Sequence, residues 1–457
     1  MRPALIRVST FILVYAPVTM ALVALVYLYW WMLSQATWNL IGFGWRGDTY
    51  DSLASSLLQG KADVDPARIQ VEVFKINGRN FMYFGPFPAI FRLPFVVAGS
   101  SWITQLSPLS CFVAAMISVG SFALLCFYHA RRNPVLSAVL LCGFGAGTPL
   151  LFLSVSTSIY HEAIMWGLAG AMASLVSALM ILYGSGRPHI WLSLCAMFSS
   201  VAVLSRMTFG VSAYIALAVG FLIIVRSRRF HALKSPMACA PALVGCCVQL
   251  WYNHARFGSP FAPAKFGPDV HYFDPTGMGG WFNPIRIPEL LKIYFLPGTE
   301  FFFGQFPYVR MQRVNFTTPE IFNSWKEPVV PLTLTTTWLV VLALASVLLM
   351  ARRRAWFLLF IALSFTCSWL PILSFFNVSE RFTAEFLPGL VFITTCGMAG
   401  EMSWLRSTGL RAMVTILVLW SIFCTAVSTI AWPPEMTGLP VVSPRLESIF
   451  AGKTRLF

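Results

Sequence analysis

The stretch Pro86-Phe87-Pro88-Ala89-Ile90-Phe91-Arg92-Leu93-Pro94-Phe95-Val96-Val97-Ala98-Gly99-Ser100-Ser101-Trp102-Ile103 decides how the chain is threaded. It is as apolar as a membrane span, yet it carries Pro86, Pro88 and Pro94 and places Arg92 near its middle. An arginine at the centre of a helix crossing a bilayer costs roughly 2.5 to 3.5 kcal/mol. Proline also removes a backbone donor that a lipid-exposed helix needs. The stretch is therefore read as an interfacial or re-entrant helix, not a crossing.

The rest of the composition puts the chain in a membrane. Of 457 residues, 57% are hydrophobic and 11% charged, where a soluble domain carries about 25% charged residues. The run from Phe11 to Leu33 follows Arg2 and Arg7. It is too long for a signal-peptide core and no small-residue cleavage site follows it, so it is expected to stay as the first transmembrane helix. With the N-terminus cytoplasmic, spans are expected at about 11–33, 108–129, 134–154, 160–183, 189–205, 207–225, 236–252, 331–351, 355–376, 383–400 and 411–431. These eleven spans put Arg131-Arg132, Arg187, the basic run from Arg226 to Lys234, Arg352-Arg353-Arg354, and Arg406 with Arg411 all on the cytoplasmic side. A crossing at 86–103 would move every later cluster outside.

The expected fold is an all-α polytopic bundle over 1–431, with two long outer loops at 34–107 and 253–330 and a short polar outer tail at 432–457. The formal charge of +15 is then a topology signal, and no nucleic-acid partner is expected. All ten cysteines fall in expected spans, which argues against a disulfide framework or a metal cluster. No cofactor is expected.

Of the 17 Asp and Glu residues, only Glu401 falls on the inner side. The outer acids begin in Trp45-Arg46-Gly47-Asp48-Thr49-Tyr50-Asp51-Ser52-Leu53-Ala54-Ser55-Ser56-Leu57-Leu58-Gln59-Gly60. At helical period Tyr50, Leu53, Ala54, Leu57 and Leu58 make one apolar face, and Gly60 is a C-terminal stop. Asp48 and Asp51 share a side of this short surface helix. Acids at those positions also serve a helix N-terminus, and Asp51 suits that role better than Asp48.

Other ionisable groups come to the same face. His161 and Glu162 sit in the turn between the third and fourth spans, and Arg206 lies between the fifth and sixth. Glu380, Arg381 and Glu385 lie between the ninth and tenth. Ionisable residues close to spans are costly and mark candidate sites. Arginine offers a planar fork to phosphate oxygens, and a carboxylate takes the proton of an attacking hydroxyl. Together they suit transfer of a sugar from a phosphate leaving group. A donor on the outer face would be lipid-linked, because nucleotide sugars are not available there.

The sequence resembles the GT-C class of membrane glycosyltransferases, which includes protein mannosyltransferases and aminoarabinose transferases. The resemblance spans about residues 1–430 and rests on four short motifs. Gly47-Asp48-Thr49-Tyr50-Asp51, with Leu57-Leu58-Gln59-Gly60, is similar to the family's Asp-Glu-x-Tyr-Tyr helix ending in Leu-Leu-x-Gly. Tyr83-Phe84-Gly85-Pro86-Phe87-Pro88-Ala89 is similar to the apolar segment that follows. Tyr252-Asn253-His254-Ala255-Arg256-Phe257-Gly258-Ser259-Pro260-Phe261 resembles the opening of the late outer loop in bacterial members. Glu380-Arg381-Phe382 with Leu387-Pro388 resembles the Arg-Tyr and Leu-Pro element before a late helix. Thr49 stands where many members have a second acid, and Phe382 where a tyrosine is usual.

The resemblance implies Asp48 as the catalytic base, with Glu162 as a second outer acid that orients the acceptor or assists Asp48. Asp51, His161, Arg206, Glu380 and Arg381 are then substrate-binding candidates. The expected donor is a polyprenyl-phosphate sugar, and the acceptor a lipid, glycan or protein of the cell envelope. The expected setting is the outer face of a bacterial inner membrane, among membrane lipids. The competing class is a transporter or flippase for a lipid-linked or anionic substrate. Such proteins place ionisable groups at the midplane on broken, repeated helices, which this sequence does not display.

Overall fold

The computed structural model describes residues 2–42, 44, 46–69, 73–99, 106–130, 133–184, 186–227, 234–261, 276–298, 300–302, 309–311, 314–323, 327–399 and 407–431. The expected outer tail at 432–457, Glu401, Arg406 and Arg131-Arg132 lie outside the described residues. The N-terminal half runs α1 (Arg2–Leu33), α2 (Asp48–Leu57), α3 (Pro66–Ile69), α4 (Phe87–Val97), α5 (Ser107–Ala130), α6 (Pro134–Ala146), α7 (Pro149–Leu153), α8 (Ile159–Leu182), α9 (Pro188–Ser205), α10 (Met207–Arg226), α11 (Lys234–Ala238) and α12 (Ala240–Phe257). The second half runs α13 (Ile287–Phe295), α14 (Leu332–Thr335), α15 (Thr337–Arg352), α16 (Trp356–Ser364), α17 (Leu370–Leu373), α18 (Leu387–Ala399) and α19 (Thr408–Ala431). Strand is limited to two small antiparallel hairpins among the described residues, β1–β2 (Phe74–Ile76, Arg79–Phe81) and β3–β4 (Glu300–Phe302, Val309–Met311).

Seven helical segments are long and apolar enough to cross a membrane: Val14–Leu33, Ser107–His129, Ile159–Leu182, Pro188–Ser205, Met207–Arg226, Trp356–Leu373 and Thr408–Ala431. The other expected spans fall on shorter or interrupted helices, for local reasons. Within 134–154, Pro149 opens α7 and the Thr148 hydroxyl caps the Leu150 amide, so the helix breaks at Gly147-Thr148. Within 331–351, Thr336 leaves helical geometry between α14 and α15. Within 236–252, a break at Cys239 separates α11 from α12, which is 18 residues long but ends in the polar stretch Asn253-His254-Ala255-Arg256. At 383–400, α18 begins only at Leu387. Of the stretch at 86–103, Phe87–Val97 forms α4, which at 11 residues is too short to cross, and 100–103 lie outside the described residues.

The centre of the bundle is α8. It is buried along its whole length and packs against α5, α9 and α10. Small residues let those neighbours come close. A Cβ on Gly170 would lie 2.5 Å from the Ala202 backbone nitrogen, and one on Gly167 would meet the Phe209 ring at 2.5 Å.

Against this core the segment between α1 and α5 folds as a cap. Helix α2 buries Tyr50, Leu53 and Ala54 completely, and Leu58 is exposed. Gly60, in the left-handed region at φ 70°, ends the helical stretch. Asn77 and Gly78, both with positive φ, close the β1–β2 hairpin. In the segment between α12 and α14, α13 buries Leu290 and Tyr294. Just before it, the fully buried Arg286 donates to the carbonyls of Met278, Gly280, Trp281, Ile321 and Ser374.

Candidate functional site

Asp48 and Asp51 leave α2 in different directions and into different surroundings. Neither makes a side-chain cap bond to the helix start. The Asp48 carboxylate is half-buried and makes no hydrogen bond or ion pair among the described residues; only its backbone carbonyl is used, accepting from Arg68 at 3.4 Å. Asp51 is 2% exposed, so the expected cap partner is instead an interior carboxylate. A short helix has little room on its apolar side, and residue 51 lies next to Tyr50 and Ala54 on the face that docks.

What Asp51 meets is Arg92, which the sequence reading used only to decide topology. Arg92 is completely buried on α4, and all five of its N–H groups have a carboxylate, hydroxyl or carbonyl oxygen in reach. Nη1 donates to the Pro88 carbonyl at 2.9 Å and to Glu162 Oε1. Nη2 donates to Glu162 Oε2 at 2.9 Å and to Ser107 Oγ at 3.0 Å. Nε lies 2.8 Å from Asp51 Oδ1, and the guanidinium faces the Tyr50 ring at 5.3 Å. Glu162 thus takes the bidentate pairing, while neither oxygen of Asp51 receives a well-directed hydrogen bond. Burial pushes the Asp51 carboxyl up to about 7, against the pull of Arg92.

Glycine makes this fit possible at two points. A Cβ at Gly47 would fall 1.9 Å from the same Ser107 Oγ that binds Arg92. A Cβ at Gly85 would fall 2.1 Å from the Leu204 carbonyl oxygen, where the Gly85 amide donates to Ser205 O at 3.3 Å.

The second group surrounds Arg206. This residue is the C-cap of α9 and the N-cap of α10, in extended conformation, so its side chain leaves the junction between two apolar helices. Its Nε donates to Glu385 Oε1 at 2.6 Å, and Thr208 donates to the same oxygen at 2.8 Å. Burial raises the Glu385 carboxyl, and Arg206 opposes that rise. The Arg206 side chain is 18% exposed, and its two Nη groups have no hydrogen-bond partner among the described residues. Its guanidinium lies over the Phe382 ring at 5.0 Å.

Arg381 lies 3.5 Å from Glu327 Oε1 and over the Tyr160 ring at 4.4 Å. Glu380 accepts from the Val330 amide at 2.7 Å and borders a small cavity with Thr335, Thr425 and Ser428. His161 is buried; its Nδ1 is 2.8 Å from the Ser156 carbonyl and its ring packs on Phe152.

These contacts close a ring through four chain segments. Phe84 meets Tyr160 edge-on at 5.4 Å, Tyr160 lies under Arg381, Phe382 lies under Arg206, and the preceding Ser205 returns to Gly85. The segment between α1 and α5, the start of α8, the α9–α10 junction and the segment before α18 therefore meet. Glu162, His161, Glu380 and Glu385 are buried in this assembly, and Asp48 and Arg206 present groups that are not engaged among the described residues.

The Tyr252 to Phe261 motif has a packing role. Arg256 is 6% exposed, stacks on Tyr252 at 4.1 Å and donates to the Met82 carbonyl at 2.9 Å, which fixes the strand leading to Phe84. Arg92, Ser107, Tyr160 and Glu327 were not singled out as site residues from sequence. Arg92 had a signal, since an arginine in an apolar segment needs a buried partner. No group of three or more His, Cys, Asp or Glu side chains with metal-binding spacing occurs among the described residues. No protein-family model, curated protein or solved structure matches this chain.

Proposed function

We propose that the chain is a membrane glycosyltransferase of the GT-C kind, with eleven spans, a cytoplasmic N-terminus and its working face outside a bacterial inner membrane. It moves a sugar from a polyprenyl-phosphate donor to a lipid, glycan or protein acceptor of the cell envelope. The observation that carries this reading is the pairing of two unengaged groups within one assembly of loops. The Asp48 carboxylate is free to take a proton, and the Arg206 fork is tethered only through Nε, so both Nη groups can reach phosphate oxygens.

In this reading Asp48 removes the proton from the acceptor hydroxyl as its oxygen bonds to the anomeric carbon. The bond from that carbon to the donor phosphate breaks with its electron pair on the phosphate, and Arg206, with Arg381 beside it, stabilises the departing anion. Glu162 has both oxygens on Arg92. It therefore acts as that arginine's counter-ion and not as a second proton acceptor.

The test compares wild-type and Asp48→Asn protein at equal membrane abundance, scoring transfer from polyprenyl-phosphate sugars to envelope acceptors by mass spectrometry. Loss of a general base lowers turnover on the order of 10²–10⁴-fold. Equal transfer by the two proteins overturns the assignment of Asp48. The absence of any change in envelope glycans when the protein is removed overturns the function.

A further inference from the structure

Arg92 joins four elements at one buried point. It belongs to α4, its carboxylate partners come from α2 and α8, and its hydroxyl partner Ser107 opens α5. Two carboxylates share this one guanidinium, and they share it unequally. Glu162 holds both Nη groups, whereas the Asp51 carboxylate lies 2.8 Å from Nε and receives no well-directed hydrogen bond among the described residues.

We propose that Arg92 is the positioning residue of the α2 site: Glu162 fixes its guanidinium, and Asp51 docks on its Nε, so that this one buried arginine seats α2 and sets the place of the Asp48 carboxylate. The assignment rests on reading Asp48 as the base. Asp48 stands one helical turn before Asp51, and α2 is a ten-residue helix, so releasing Asp51 moves Asp48 with it.

The seat also responds to protons. The charged groups that act on Asp51 are Arg92 on α4, Glu162 on α8 and Arg68 on α3, and Tyr50 on α2 itself lies against the Arg92 guanidinium. Since burial raises the Asp51 carboxyl, the seated helix favours the protonated acid. Docking is thus strongest at low pH and weakens as pH rises through the folded value. With that value near 7 and an unseated one of roughly 3.9, linkage gives about a tenfold loss of α2 protection between about pH 6 and about pH 8.

The experiment measures hydrogen-exchange protection of the α2 amides in the full chain in lipid nanodiscs, together with sugar transfer. Wild type is expected to lose protection about tenfold across that interval. Asp51→Asn, which cannot ionise, is expected to show no such loss. Arg92→Met is expected to lose α2 protection at both pH values. Arg92→Lys keeps the charge but not the planar fork and is expected to recover part of that protection, with its transfer defect in kcat and little change in KM.

The proposal is overturned if Arg92→Met leaves α2 as protected as wild type, or if Asp51→Asn keeps the wild-type pH dependence. The second comparison decides the matter where Arg92→Met does not insert. If α2 responds as described but wild type transfers no sugar, the proposed function fails and the seat stands. If transfer depends on Asp48 while α2 protection ignores Arg92, the seat fails and the function stands.

Discussion

Asp48 and Asp51 are three residues apart on one helix, and their surroundings separate them into two kinds of acid. Asp48 keeps an unengaged, half-buried carboxylate, and Asp51 is enclosed against a single arginine nitrogen. Arginine is similarly divided, since Arg92 spends both Nη groups on protein while Arg206, among the described residues, spends only Nε. Lysine would keep the charge at 206 but lose the planar fork, so Arg206→Lys is expected to raise KM for a phosphate-linked donor about tenfold or more, as transfer kinetics would measure. Unchanged KM would mean that the fork does not meet the donor. Removing Arg92 leaves two carboxylates buried together, so Arg92→Met is expected to destabilise the protein by about 3–5 kcal/mol, read from thermal unfolding in detergent. In that assay Arg92→Met destabilises more than Asp51→Asn, because the asparagine remains neutral beside an arginine that Glu162 still balances. The residues in this cluster were only partly legible beforehand. Asp51 and Glu162 declared themselves as acids beside spans, but their partner lies in a different segment, and no spacing rule connects residues 92 and 162.

Among the elements, α2 and α4 are the pair that sequence described well one at a time and not together. The apolar period of α2, its stop at Gly60 and the refusal of α4 to cross all follow from local chemistry. That the two pack on each other through an ion pair does not. The Tyr252 to Phe261 motif packs into the same layer: Arg256 donates to the Met82 carbonyl and the Tyr252 hydroxyl to the Phe84 carbonyl. Gly85 tests this layer directly. Alanine there drives a methyl group into the Leu204 carbonyl, so Gly85→Ala is expected to cost at least about 1–3 kcal/mol in thermal unfolding and to lower transfer by shifting the Phe84–Tyr160 contact. A stable Gly85→Ala protein with full activity would show that the α9 junction and the first outer loop need not touch.

For the whole molecule, hydropathy gave the class and many of the long helices, and it failed where helices are broken. Pro149 and the kink at Thr336 shorten helices inside apolar runs that read as continuous, so apolar content was legible while helix continuity was not. An eleven-span chain has its two ends on opposite sides. Reporter domains fused before Arg2 and after Ala431 are expected to score cytoplasmic and external respectively, and two reporters on the same side would remove the odd span count. The enclosure of α8 bears on how the protein is made. Its apolar surface touches other helices and not lipid in the finished bundle, so its hydrophobicity serves the moment of insertion, before α9 and α10 exist to cover it. Glu162, near its first turn, follows Arg92 by 70 residues in the chain. The positive partner is therefore synthesised first, and the acid that anchors α8 meets a waiting counter-charge as it reaches the membrane.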